Sequence, residues 1–179
     1  MRHLVPALAL IALGTGAAAE DIFALKRSGV ARDGEAVFDA ARFANGLART
    51  RRGDLVLAAT RDKALVVLMQ TTDGFGEARK IALPGGPDNL TEAADGGVIA
   101  AVHPSLLRMG LHRKAGIGGA PSRVVKADVG NGDVSLLFDD RKGALFNGAT
   151  VAVETNDTLI VGSATDDGVL VCRNNSDLG

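Results

Sequence analysis

The sequence predicts an all-β chain assembled from about three tandem, four-stranded antiparallel units. Three observations carry that expectation. Short apolar runs (Leu55–Thr60, Val98–His103, Leu159–Ala164) are bounded by Gly, Asp and Asn, the punctuation of strands and turns. Helix signals are scarce, the best being Leu106–Lys114. The third observation is a repeat. Phe43–Leu68, Gly86–Met109 and Phe146–Cys172 each show an Asn at the head (Asn45, Asn89, Asn147), a short strand, a polar turn and an apolar strand. Asn45 and Asn89 lie 44 residues apart, and Asn89 and Asn147 lie 58 apart. A spacing in the mid-forties with several strands per unit is the period of a propeller blade. The surplus in the second unit fits a loop inserted after His103, over Leu106–Pro121.

Taken in order, the chain opens with a basic Met1-Arg2-His3, an apolar run Leu4–Gly16 and a small-residue Ala17-Ala18-Ala19. That pattern is a secretory signal peptide over residues 1–19, cut before Glu20. Its 13 apolar residues fall short of the roughly 20 a spanning helix needs. An uncleaved anchor is the alternative, and either reading puts the rest outside the cytoplasm, periplasmic or secreted. Residues 20–179 then form one partial β-propeller domain. Glu20–Arg27 and Glu35–Ala40 read as two strands of a preceding blade within 21–40. The first full blade (43–84) takes Leu47–Thr50, Leu55–Thr60, Ala64–Met69 and Glu77–Leu83. The second (85–140) takes Leu90–Ala93, Val98–His103, Arg123–Val129 and Asp133–Phe138, the last two joined by the hairpin signal Gly130-Asn131-Gly132. The third (145–173) takes Ala149–Glu154, Thr158–Ser163 and Val169–Arg173. Rings close with 4–8 blades, so about three leave an open ring with apolar flanks. The expectation is half of a ring, completed by a second copy in a homodimer, or a truncated product.

Composition excludes several functions. A net charge of −1 and no basic cluster beyond Arg49–Arg52 argue against nucleic acid. With no Trp or Tyr and six Phe, the chain lacks an aromatic platform for bases or sugars. The single Cys172 excludes an intrachain disulfide and reads as a buried apolar residue of a strand. No G-x-S-x-G elbow, P-loop or H-E-x-x-H occurs, and Ala115–Pro121 reads as a loop although its glycines imitate a phosphate cradle.

Positive chemistry centres on the heads of the innermost strands, which a propeller directs to one axis. Asn45, Asp88, Asn89 and Asn147 would gather amide and carboxylate oxygens there. A hard cation suits such a set, calcium best, because it accepts 6–8 oxygens in flexible geometry. Each pair taken alone is more readily a turn, since Asn-Gly and Asp-Asn are common turn pairs; recurrence at the same place in three units reverses that preference in favour of the ligand reading. Asp88 carries the only formal charge of the four. His103, at the end of Val98–His103, is the candidate proton acceptor, against the plainer reading of a structural histidine.

The segments RFANGLA (42–48), LPGGPDNLT (83–91), AAVHPSLLR (100–108), LFNGATVAV (145–153) and GVLVCR (168–173) resemble the paraoxonase-type arylesterases, in the group of SMP-30/gluconolactonase and strictosidine synthase-like propellers. The resemblance spans Asp21 to Arg173 and implies a six-bladed propeller with an axial calcium that hydrolyses aryl esters and lactones. It implies Asn45, Asp88 and Asn89 as metal ligands, and places His103 and Thr150, with Asn147, near the substrate pocket. It covers only the second half of that propeller. The first half would supply a Glu, another Asn and the histidines usually assigned to proton transfer, and Cys172 matches a cysteine whose partner in some members lies there. A non-catalytic secreted binding or scaffold module, or a gene remnant, is the alternative. Strictosidine synthase-like bond formation is weaker, since no residue points to an amine–aldehyde pocket.

Overall fold

Strands form where β-branched and apolar residues alternate or run together between glycine turns. The computed structural model describes residues 43–173 apart from Asp73. The expected signal peptide (1–19), the two strands expected within 21–40 and the tail Asn174–Gly179 lie outside the described residues. Eleven strands and one helix make up the described part. The first sheet holds β1 (Ala44–Arg49), β2 (Leu55–Ala59), β3 (Ala64–Thr71) and β4 (Gly74–Ala82). The second holds β5 (Gly86–Glu92), β6 (Val98–His103), β7 (Ser122–Ala127) and β8 (Val134–Asp140). The third holds β9 (Ala149–Thr155), β10 (Thr158–Ser163) and β11 (Val169–Arg173). Each is an antiparallel meander with spatial order equal to chain order, as propeller blades are. The fold is all-β and consistent with blades of a partial propeller.

The sheets stack face to face. Val56, Leu65, Val67 and Ile81 of the first meet Val98, Ala100, Val102 and Val125 of the second. The second sheet's other face offers Ile99 and Val124 to Ala149, Ala152, Leu159 and Val161 of the third. β6 is therefore covered on both sides and all six of its residues are buried. This explains why VIAAV is a continuous apolar run rather than an alternating one. Its alanines let neighbouring sheets approach closely. The innermost strands β1, β5 and β9 lie side by side.

Several boundaries differ from the expected ones, for one physical reason. β1 begins at Ala44 rather than Leu47, and β5 at Gly86 rather than Leu90. Both strands carry a bulge near their start. Register slips between Ala44 and Leu47 and between Pro87 and Leu90, so two residues oppose one across the ladder. Asn45-Gly46 and Asp88-Asn89, which read as turns, are those bulges. β9 has its own slip at Thr150, between Ala149 and Val151. The segment expected as a long loop contains a helix, α1 (Leu106–Ala115). Ser105 caps its start by accepting from the Arg108 amide, and left-handed Gly116 closes its end.

Candidate functional site

At the end of the stack where the inner strands begin, the bulges on β1 and β5 touch. A Cβ on Gly46 would fall 2.5 Å from the Asp88 carbonyl oxygen and 2.8 Å from the Asn89 Cα. Only glycine lets the two backbones come this near. The contact turns Asn45 toward Asp88, and the Asn45 Nδ2 amide donates to Asp88 Oδ1 at 2.6 Å. On its other side, Asp88 Oδ2 lies 3.2 Å from His103 Nε2. A carboxylate oxygen only accepts, so this contact is a hydrogen bond in the tautomer that carries its proton on Nε2. His103 is only 5% exposed, and its Nδ1 is buried with no hydrogen-bond partner among the described residues.

A buried hydroxyl holds the bulges in place. Thr60 Oγ1 donates to the Pro87 carbonyl at 2.7 Å, tying the first sheet to the residue before Asp88. Ser122 Oγ accepts from the Ala149 amide at 2.9 Å between the second and third sheets, and Thr91 Oγ1 donates to the Ala152 carbonyl at 2.6 Å. By register, Thr60 occupies in the first sheet the place that His103 holds in the second. Sequence reasoning singled out neither Gly46 nor Thr60. Setting LVLAAT above VIAAVH would have paired Thr60 with His103, but nothing in a sequence says that Gly46 meets a backbone 42 positions onward.

Of the residues singled out beforehand, the fold brings together Asn45, Asp88 and His103. Asn89 shares the bulge with Asp88, is exposed, and makes no side-chain hydrogen bond among the described residues. Thr150 sits half-buried in the β9 bulge, the matching place on the third inner strand. Asn147 does not head β9. It lies in the preceding turn, where its Oδ1 accepts from the Ala120 amide at 2.9 Å and its own amide donates to Asp166 Oδ2 at 2.7 Å. The 2.7 Å bond comes from the Asn147 backbone N–H, the side-chain Nδ2 donates to the same oxygen at 3.3 Å, and together these bonds hold a loop. Cys172 is free and half-buried beside the second core cluster, and burial pushes its thiol up.

A cavity of about 580 Å³ opens at the opposite end, lined by Thr50, Arg51, Asp95, Lys126, Asp128 and Asp133 among others. Its charges are largely matched: Lys126 Nζ lies 3.0 Å from Asp95 and 3.2 Å from Glu154. The hydrogen bond to Lys126 holds the Asp95 carboxyl below the usual range, and the same bond holds Lys126 above its own.

No protein-family model matches the sequence, and no curated protein matches it. Among solved structures, the backbone is similar to a catalytically inactive variant of virginiamycin B lyase from Staphylococcus aureus with quinupristin. The TM-score is 0.47 at 11% identity, over 83% of this chain and 48% of that one. The chain thus spans about half the length of that protein.

Among the described residues, no group of three or more His, Cys, Asp or Glu side chains is disposed to hold a metal. The Asn45, Asp88 and Asn89 set is of another kind, one carboxylate and two amides, all potential hard oxygen donors. In chemistry it fits an oxygen-seeking cation, for which it would supply at most three of the 6–8 ligands calcium takes. Asn45 now presents its Nδ2 to Asp88; turning that amide over exchanges Nδ2 for Oδ1 and presents an oxygen instead.

Proposed function

We propose that this chain is part of a calcium-dependent hydrolase of aryl esters or lactones of the paraoxonase type. The observation that supports this most is the series Asn45–Asp88–His103, in which Asn45 and Asp88 sit on touching bulges of adjacent inner strands and His103 ends the neighbouring strand β6. Asn45, Asp88 and Asn89 would hold the ion, whose charge polarises an ester carbonyl and offsets charge building on its oxygen. The chain's own contribution is preorganisation. His103 fixes one oxygen of Asp88 and Thr60 fixes the carbonyl beside it, so the carboxylate needs little rearrangement when a ligand arrives. His103, being buried, acts through Asp88 rather than by touching substrate, and Thr150 contributes to the pocket wall. Asn147 supports that wall by holding the loop before β9.

Completion of the ring belongs to the same reading. The outward face of the third sheet exposes Val151, Val153, Val169 and Val171, a flank that a second copy would cover in a two-fold dimer. Sedimentation tests it, and a monomer at every accessible concentration removes the dimer.

Hydrolysis of phenyl acetate and of a lactone, with and without chelator, tests the activity. Calcium-restored turnover is expected, lowered by about 100-fold or more in Asp88→Asn. Calcium should also raise the Tm of the unaltered chain and not of the variant. No turnover together with no calcium shift leaves the binding-module reading.

A further inference from the structure

The segment between β6 and β7 carries a surface that neither the fold nor the proposed site uses. From Pro104 to Pro121 there is no Asp or Glu, while Arg108, Arg113 and Lys114 are all basic. Within it, α1 is anchored by one face. Met109 is buried, and its Sδ and Cε would lie 3.1 Å from a Cβ on Gly148. At 100° per residue, Leu107 and Leu111 fall on the side opposite Met109. They are 73% and 43% exposed, and Ile117, just past the C-cap, is 62% exposed. The most outward stripe of the helix is therefore leucine, an inversion of the usual arrangement.

That stripe is held rigidly outward. Arg108 donates from Nη1 to the Arg141 carbonyl at 3.2 Å, and from Nη2 to the Gly119 and Lys142 carbonyls at 2.9 and 3.1 Å. His112 Nδ1 meets the Gly118 carbonyl at 2.5 Å. The loop fastened by Arg108 exposes a further apolar side chain, Leu145 at 67%. At 100° per residue Lys114 lies about 20° from Leu107, whereas Arg113 lies about 40° from Met109 at the exposed C-terminal end of the helix; neither has an ion-pair partner among the described residues. Protruding leucines beside uncompensated cations suit a surface that is apolar below and anionic above. Four side chains are too few for a standard protein interface of about 800 Å² per partner. They suffice for shallow insertion at a headgroup boundary, with Arg113 and Lys114 reaching back to the phosphates.

From this geometry we infer that α1 and the Leu145 loop dock the protein on an anionic lipid surface. α1 follows His103 by three residues, so docking would set the head end of the stack against the membrane. The inference is independent of the hydrolase reading, and its test needs no activity.

Because the chain contains no Trp, Leu111→Trp gives a single reporter. Its emission should shift to the blue with phosphatidylglycerol-containing vesicles and stay unchanged with pure phosphatidylcholine. In vesicle co-sedimentation, Arg113→Gln with Lys114→Gln should weaken partition about 25-fold, roughly fivefold per cation. Leu107→Ser with Leu111→Ser should weaken it about tenfold per leucine, with circular dichroism confirming that both variants fold. Absence of partition to the anionic vesicles overturns the inference. So does unchanged partition of the folded serine variant, as does equal capture by poly-glutamate with and without the leucines, which marks a site for acidic protein.

Discussion

At the head end of the stack, Asp88 and His103 are largely buried and touch in series, with the exposed Asn45 amide donating to Asp88 and Asn89 exposed beside them. At the hairpin end, the polar groups are more numerous and more exposed, yet almost all are matched: the Arg51 amide with Glu92, Arg51 Nη1 with the Ala94 carbonyl at 3.0 Å, Lys126 with Asp95 and Glu154. Charge density alone would favour the second end, and so would cavity volume. Polar atoms are paired at both ends; the difference is that Asp88 is braced on one side by a buried histidine, whereas the partners at the hairpin end are more exposed. Exposed pairs stabilise little. One largely buried carboxylate braced from both sides is costly to place, and the proposed function gives that cost a use.

Variants at the two ends sharpen the contrast. The largest effect on stability is expected at Gly46→Ala, because the new methyl would meet the Asp88 backbone rather than a movable side chain. About 3 kcal/mol of destabilisation and a Tm lower by roughly 10 °C should appear in thermal unfolding. An unchanged Tm would mean that the two bulges do not touch.

An intermediate effect is expected beside the head end, where Asp140 organises the loop into β9. Its carboxylate accepts the amides of Lys142, Ala144, Leu145 and Phe146 at 2.7–3.3 Å. Burial opposes ionisation there, but those four bonds prevail and hold the carboxyl below its usual range. At neighbouring Asp139 burial likewise pushes up, and Arg141 and Arg123 outweigh it. Both carboxyls therefore add stability that is complete above the ordinary carboxylate pKa of about 3.9 and is lost as pH falls through their lowered values. Asp140→Asn should cost on the order of 1–2 kcal/mol at neutral pH and flatten the acid limb of a Tm-against-pH curve. An acid limb identical to that of the unaltered chain would refute the assignment.

The smallest effect is expected at the hairpin end. Lys126→Gln breaks two ion pairs, yet should cost under about 1 kcal/mol in chemical denaturation, and less in high salt. A loss of several kcal/mol would show that this end is a braced site after all.

The dipeptide Asn-Gly shows how far a sequence can be read here. Asn45-Gly46 and Asn147-Gly148 are the same two residues before a strand, and both suggested a ligand at a strand head. In the fold, the first is a bulge whose glycine makes room for a neighbouring backbone. The second is a turn whose glycine is left-handed, at φ 55°, and whose asparagine is used by Ala120 and Asp166. Local chemistry was identical, and the partner across the ladder made the difference. α1 was legible only weakly, since its exposed leucines blur the amphipathic period that identifies a helix.

What the sequence determined by itself is the run of strands, the repeat and the all-β class. These follow from the alternation and clustering of apolar residues between glycine turns, which are properties of neighbours along the chain. Only the tertiary structure decided where the bulges fall, that Asp88 bridges Asn45 and His103, and that Leu107 and Leu111 point away from the protein. Each of those depends on register or packing between segments tens of residues apart, and no local pattern encodes it.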